Sequence, residues 1–149
     1  MLYRFMVPPS PRFLVHRDIA FAGMVSNFSN TLTAHLQGLW TSAYFSGRLA
    51  KDPAAEVHDK QALRKLKYET VLHNRFGNWR YPTDWGDRTP SFIFDAVPYL
   101  DLLQHDLGLE NHRKKGLLAE ITDPYRAADY QDVNDEWQRK HGRAEPASS

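Results

Sequence analysis

The sequence predicts a mostly α-helical protein with one or two short β-strands at its beginning. Two short apolar runs, at residues 2–7 and 19–23, have the length and composition of strands, and they end at Pro8 and at Gly23. After residue 30, apolar residues recur instead at three- and four-residue steps, which is the period of amphipathic helices. Because two lone strands do not form a stable sheet, we expect residues 1–23 to pair with strands outside this chain.

The composition is that of an ordinary globular domain. The 149 residues are 42% hydrophobic and 25% charged, enough to bury a core in one domain. No cysteine is present, which excludes disulfides, thiolate metal ligands and cysteine nucleophiles. The net charge of +1 does not favour nucleic acid or an acidic membrane as a partner. No apolar run approaches the length of a membrane span or of a signal peptide, so a cytoplasmic location is expected.

Charge is distributed unevenly along the chain. Residues 1–50 carry four basic residues and one acid, whereas residues 51–149 carry fifteen basic and seventeen acidic residues. This shift predicts a core-like unit at 1–50 and an outer helical extension at 51–142. The polar tail at 143–149 is too short to pack and is expected to be disordered.

The first long helix is predicted over residues 31–49. Ser29 and Asn30 directly before it are residue types that cap helix N-termini. Gly47 near the predicted end suits the left-handed conformation that often terminates a helix.

Three further helices are predicted downstream, at residues 54–75, 92–107 and 127–141. Gly108 is expected to end the second of them. Between the first two lies a loop at 78–90 that is rich in aromatic residues and is expected to be ordered, as a lid or packed on a surface.

Motif searches exclude several kinds of site. The eight glycines include no pair two residues apart, so no dinucleotide-binding G-x-G-x-x-G is present, and no phosphate loop, zinc motif or nucleophile elbow occurs. The seven histidines have no ligand spacing, so neither a metal site nor a catalytic residue is predicted. For the basic cluster at residues 113–115, a solvated turn is favoured over a phosphate site.

One local pattern does suggest chemistry. An apolar run ending at Gly23, a polar loop, and a helix beginning near Asn30 together form a strand–loop–helix unit. Ligands of open α/β sheets bind beyond the carboxyl ends of strands, where a helix N-terminus offers unpaired backbone donors. Such an end would suit a phosphate or the negative charge of a reduced flavin. The alternative, that Ser29 and Asn30 only cap the helix, is favoured by this unit taken alone.

Several short motifs follow one another in a specific order. They lie at residues 2–5, 8–9, 18–23, 29–37, 40 and 44–49, and again at 76–82 and 92–99. In order and spacing these motifs resemble the C-terminal segment of flavin-containing monooxygenases, the class B flavoproteins that use FAD and NADPH, in a microbial or fungal branch. The resemblance covers about residues 1–138. Residues 13–15 depart from it as an apolar insertion before Asp18.

The resemblance implies a C-terminal fragment of an α/β FAD/NAD(P)-binding, Rossmann-like fold followed by a helical tail. Residues 19–23 would then form the last strand of the FAD-binding domain. The residues expected to approach the flavin are Ser26, Asn27, Ser29, Asn30 and Thr31.

The same resemblance implies an activity for the whole protein. The family oxygenates a nucleophilic nitrogen or sulfur of a small organic substrate, as in N,N-dimethylaniline monooxygenases, or a ketone, as in Baeyer–Villiger enzymes. The cofactor supplies that chemistry and the protein orients it. Because both glycine-rich fingerprints of the family are missing, the chain is expected to be inactive alone, and its expected partner is a preceding flavoprotein portion.

Two other functions are compatible with the residues. A non-enzymatic helical protein would use exposed aromatic residues as interaction anchors: Trp79, Tyr81, Trp85, Phe92 and Phe94. The competing structural explanation, that these aromatic residues form the helical core, is favoured over a binding face. Alternatively, the chain would dock on a complete flavoprotein and extend its sheet.

Overall fold

The computed structural model shows helices arranged around a shared core. It describes residues 1–27, 29–81, 92, 95–111, 113–114, 118 and 122–142. The five α-helices among these residues are α1 (Pro11–His16), α2 (Asn30–Phe45), α3 (Lys60–Arg80), α4 (Ala96–Leu107) and α5 (Val133–His141). Single 3₁₀ turns at Ala55–His58 and Ala127–Tyr130 precede α3 and α5. No helix among the described residues is long and apolar enough to cross a membrane.

Helix α2 confirms the first predicted helix and ends four residues earlier than expected. Its end is a Schellman motif, in which Gly47 adopts a left-handed φ of 64°. The Gly47 N–H donates to the Tyr44 carbonyl, and the Arg48 N–H donates to the Ala43 carbonyl at 2.8 Å. A glycine thus terminates α2, as the sequence predicted.

The helix predicted at 54–75 is wrong at both ends. Asp59 is extended, and its carboxylate accepts from the Gln61 N–H, so it caps a new helix and separates it from the 3₁₀ turn. Helix α3 then continues through Gly77 to Arg80. Glycine costs only about 1 kcal/mol within a helix. The ring of Phe76, the residue before it, stacks on Phe92 with 5.4 Å between the ring centroids, and such pairs contribute about 0.5–1.5 kcal/mol.

Helix α4 confirms the helix predicted at 92–107, although it begins only at Ala96. Pro98 lies in its first turn, where a missing N–H costs nothing because first-turn donors have no partner within the helix. Gly108 ends the helix with a φ of 72°, as predicted. Helices α2 and α4 pack against each other.

The strand predicted at residues 2–7 is wrong, because this segment is a tight turn. Tyr3 and Val7 form an isolated antiparallel bridge, and between them Arg4 and Phe5 adopt left-handed φ values of 51° and 59°. The buried Arg4 side chain stabilises the turn, because its Nε donates to the Asp106 carboxylate at 2.6 Å.

The second predicted strand, at 19–23, has no ladder among the described residues. Its Phe21 N–H donates to the Met6 carbonyl at 2.8 Å, and the Phe21 side chain is 40% exposed. Its place in a larger sheet stays a prediction. The apolar insertion at 13–15 lies in α1, where Leu14 is fully buried and the Phe13 carbonyl accepts from the Tyr44 hydroxyl.

One hydrophobic cluster draws on both predicted units. Trp40 and Tyr44 of α2 pack in it together with Leu100 and Leu103 of α4. Residues on both sides of the predicted boundary at residue 50 therefore share one core.

The predicted helix at 127–141 is a 3₁₀ turn followed by α5. The tail at 143–149 and most of the aromatic-rich loop lie outside the described residues.

Candidate functional site

The N-terminus of α2 has backbone donors that find no partner among the described residues. Ser29 is its N-cap residue, yet the Ser29 side chain forms no capping hydrogen bond. The Ser29 carbonyl accepts from the Thr33 N–H at 2.9 Å. No contact among the described residues takes up the N–H groups of Asn30, Thr31 and Leu32. Together with the helix dipole, these donors make the end of α2 electropositive.

The segment before α2 is held against the core. The Ser26 carbonyl accepts from the Phe92 N–H at 2.9 Å. Asn27 is 5% exposed, and its Nδ2 donates to the Thr33 hydroxyl at 2.8 Å. Its Oδ1 is buried and has no hydrogen-bond partner within the described residues. A buried, unsatisfied acceptor costs about 1–3 kcal/mol, so Asn27 carries unused bonding capacity beside the helix end.

Two clefts flank the start of α2. Cleft A, of about 430 Å³, lies between residues 23–26 and the α2 residues Asn30, Thr33, Ala34 and Gln37. Cleft B, of about 340 Å³, is lined by residues 29–32, by Val97 and Leu100 of α4, and by Tyr125, Arg126 and Tyr130.

The predicted site residues divide between these clefts. Ser26 lines cleft A, Ser29 and Thr31 line cleft B, and Asn30 lines both. Asn27 lines neither, but it bonds Thr33 in the wall of cleft A. The five residues therefore stay close in space, around one helix end and on two sides of it.

The wall of cleft A depends on Gln37, which the sequence interpretation missed. Gln37 is 1% exposed, and its Oε1 accepts from the Gly23 N–H at 3.0 Å. Its Nε2 donates to the Tyr99 hydroxyl at 2.8 Å, which in turn donates to the Arg4 carbonyl at 3.0 Å. This chain of bonds ties the Gly23 backbone to the core. The available signal was a polar residue on the buried face of α2, one turn after Thr33 and one before Trp40.

Cleft B contains polar groups that the sequence interpretation also missed. Tyr130 is 2% exposed, and its hydroxyl has no hydrogen-bond partner among the residues that the structure describes. Burial raises the pKa of this hydroxyl, so it stays a protonated donor at neutral pH. The Arg126 side chain is 73% exposed, and its guanidinium lies 4.0 Å from the Asp123 carboxylate. These groups come from the segment between α4 and α5, and only folding brings them to α2.

The basic cluster at residues 113–115 is not a solvated turn at its two described residues. The Arg113 side chain is 9% exposed and pairs with Glu136 at 2.8 Å. Lys114 pairs with Asp123 and Asp129. Both cations are engaged by acids that follow them in the chain, which leaves them unsuited to a phosphate.

The predicted aromatic surface is divided by the structure. Phe92 is 8% exposed and stacks between Phe76 and Tyr99, so it is a core residue and not an exposed anchor. Trp79 is 66% exposed, and Tyr81 is half-buried. Trp85 and Phe94 lie outside the described residues.

A polar ring edge such as that of a flavin would find donors at the start of α2 and space in cleft A. The buried Asn27 Oδ1 lines neither cleft and would offer it no direct contact. A phosphate-binding glycine loop does not occur in the sequence. The described residues contain no cluster of His, Cys, Asp and Glu suited to a metal ion.

The chain is similar to fungal flavoproteins along most of its length. An FAD-dependent monooxygenase of Aspergillus nomiae is 32% identical over 142 residues, which are 95% of this chain and 23% of that protein. One of Aspergillus sclerotiorum is 32% identical over 136 residues, 91% of this chain and 22% of that protein. One of Pyrenophora dematioidea is 34% identical over 119 residues, 80% of this chain and 20% of that protein.

These similarities support a flavin monooxygenase family. The chain spans about a fifth of the length of the curated relatives it matches. No family model and no solved structure matches it. The names of these relatives state FAD as the cofactor and monooxygenation as the reaction. They do not state class B, NADPH or a substrate.

Proposed function

We propose that this chain is the C-terminal portion of an FAD- and NADPH-dependent monooxygenase of class B. The observation that carries the proposal is the similarity to fungal FAD-dependent monooxygenases over 95% of the chain. The uncapped start of α2 beside cleft A supports it, because this is the position at which the sequence predicts a flavin contact.

In this proposal the chain forms one wall of the flavin site. Residues 19–23 are the last strand of the FAD-binding domain, and the preceding portion supplies the rest of the sheet and both glycine-rich loops. The N-terminus of α2, which begins at Asn30, would point its positive dipole end towards the pyrimidine edge of the ring. Gln37 holds the Gly23 backbone, which forms the opposite wall of cleft A. The hydrogen bond from Asn27 to the Thr33 hydroxyl holds the loop that leads into α2.

The cofactor would supply oxygenation of a nitrogen, a sulfur or a ketone in a small organic substrate. The chain's own contribution is electrostatic. A preorganised helix N-terminus stabilises negative charge that develops on a bound ring, without reorganising at the moment of reaction. An isolated chain lacks the phosphate-binding loops, so we expect it to hold no FAD.

A chimera tests this proposal. The matched 142 residues of the Aspergillus nomiae monooxygenase are replaced by the corresponding residues of this chain. We expect the purified chimera to show the visible spectrum of bound FAD and to oxidise NADPH, while the 149-residue chain alone shows no flavin spectrum. A folded chimera that binds no FAD, or an isolated chain that binds FAD at one equivalent, would contradict the proposal.

Two matched variants test the role of the helix end. Ser29→Asp in the chimera supplies a carboxylate cap to α2, which competes with a negative ring edge for the same donors. We expect reduced FAD to bind roughly three- to tenfold more weakly, relative to oxidised FAD. Ser10→Asp is the control, because Ser10 is the equally uncapped N-cap residue of α1 and lines neither cleft. Equal effects of both variants on flavin binding would count against the assigned contact.

A further inference from the structure

Cleft B combines an apolar wall with hydrogen-bond donors. Leu32 of α2 and Val97 and Leu100 of α4 form the apolar part. The backbone N–H groups of Thr31 and Leu32 are free of partners among the described residues and lie in the first turn of α2. The volume of about 340 Å³ lies at the lower end of the range for small-molecule sites.

A second observation at the same cleft is independent of the helix end. Tyr130 lines the cleft and is 2% exposed, and its hydroxyl has no hydrogen-bond partner in the described part of the chain. A buried hydroxyl without a partner costs about 1–3 kcal/mol, which an acceptor on a ligand would recover. Native proteins leave few such groups, and a bound ion, water or ligand is one physical explanation for those that remain.

Among the described residues that line the cleft, the charged side chain is Arg126. Burial, and after it the Asp101 carboxylate, raise the pKa of the Tyr130 hydroxyl, which keeps it a donor. The Arg126 guanidinium is held only loosely, since Asp123 is 4.0 Å away and the side chain is 73% exposed. It can therefore turn towards an acid in the cleft without breaking a strong ion pair. A cation, a helix N-terminus and a phenolic donor all favour negative charge at one end of an apolar cavity.

We propose that cleft B binds a small organic anion with an apolar body. The acid group accepts from the Thr31 and Leu32 N–H groups, from Arg126 and from the Tyr130 hydroxyl. The apolar body lies against Val97 and Leu100. The anion and the proposed flavin edge draw on the same donors at the start of α2. The two proposals stay separable because anion binding in cleft B is measured on the isolated chain, which is expected to hold no FAD.

The shared chemistry is an anionic oxygen group, which a carboxylate or a phosphate supplies. Benzoate and phenyl phosphate are the two probes, and benzamide is the neutral control of the same shape. Amide chemical shifts of the ¹⁵N-labelled 149-residue chain are followed as each probe is added. We expect benzoate, phenyl phosphate or both to shift the Thr31 and Leu32 amides saturably, and benzamide to do so at least about tenfold more weakly.

Three variants locate the anion. Arg126→Gln removes the cation and is expected to weaken probe binding roughly three- to tenfold. Arg139→Gln is its control, since Arg139 is an exposed cation on α5 that does not line the cleft. Tyr130→Phe is expected to weaken binding about threefold while the thermal midpoint stays equal or rises, because the free chain loses an unsatisfied hydroxyl.

The outcomes separate cleanly. Saturable shifts at residues 29–32 that depend on Arg126 support the site, and the stronger of the two anionic probes identifies the acid group. Equal binding of benzamide, no saturable shift with either anion, or equal effects of Arg126→Gln and Arg139→Gln would overturn it. Loss of FAD binding in the chimera leaves this test unaffected, so the two proposals fail separately.

Discussion

Replacing Asp106 by asparagine tests whether one buried ion pair holds the core together. Asp106 is 0% exposed, and its carboxylate binds Arg4 through two oxygens, at 2.6 and 2.9 Å. The Trp40 indole donates to it as well, at 3.1 Å. Asp106→Asn keeps the shape and one acceptor but removes the charge, which leaves the Arg4 guanidinium buried and unpaired.

The expected loss is large. Removing one partner of a buried ion pair destabilises a protein by about 3–5 kcal/mol, because the remaining charge stays desolvated. With a urea dependence of about 2 kcal/mol per molar for a chain of this size, a loss of about 4 kcal/mol lowers the unfolding midpoint by about 2 M. The free energy of unfolding of a typical domain is only about 5–15 kcal/mol. The variant is therefore expected to be marginal at 25 °C.

Urea unfolding followed by tryptophan fluorescence measures the effect, because Trp40 touches both Asp106 and Tyr44. Asp123→Asn is the matched control, since the Asp123 side chain is 47% exposed and such pairs contribute at most about 1 kcal/mol. The combined variant Arg4→Met and Asp106→Leu should recover most of the stability. A loss below about 1 kcal/mol in Asp106→Asn would refute the reasoning, as would a double variant less stable than the single one.

Three further predictions concern stability. Gly108→Ala is expected to cost more than about 1 kcal/mol in urea unfolding, because φ is +72° and the new Cβ would lie 2.9 Å from the Ala50 Cβ. Gly38→Ala should instead stabilise by about 0.5–1 kcal/mol, since it lies within α2 and a Cβ meets nothing within 4 Å; a gain at both glycines would contradict this account. Burial, reinforced by the nearby Arg4, lowers the pKa of His73, so its contribution to stability is complete above about pH 6.5 and is lost as the pH falls through the lowered value. His73→Gln should flatten the decline in unfolding free energy between about pH 7 and 5, and an unchanged pH profile would argue against this role.

The helices that the sequence predicted well are those with local signals. Helix α2 follows Ser29 and ends at a left-handed glycine, and α4 ends at Gly108 in the same way. Caps and periodic apolar positions act over a few residues, so they can be read without the fold. The capping of α3 by Asp59 is also a local signal. The sequence interpretation missed it because helix-favouring residues stand on both sides of Asp59.

The candidate site was predictable in part. The loop and helix start around Asn30 follow from residue types in sequence, and the structure keeps the five predicted residues around one helix end. Gln37 and Tyr130 were missed, because their roles depend on burial and on partners far along the chain. Gln37 is separated from Tyr99 by 62 residues, and its bond to Tyr99 is invisible to a local pattern.

The sequence by itself determined that the chain is mostly helical, that a glycine follows both α2 and α4, and which short motifs resemble flavin monooxygenases. Only the tertiary structure decided that residues 2–7 form a turn and that Arg4 pairs with Asp106 across 102 positions. It also decided that α2 begins between two clefts. The physical reason is the range of the forces. Backbone geometry and capping depend on neighbours in sequence, whereas the desolvation of a charge and the shape of a cavity depend on whichever distant segments pack against it.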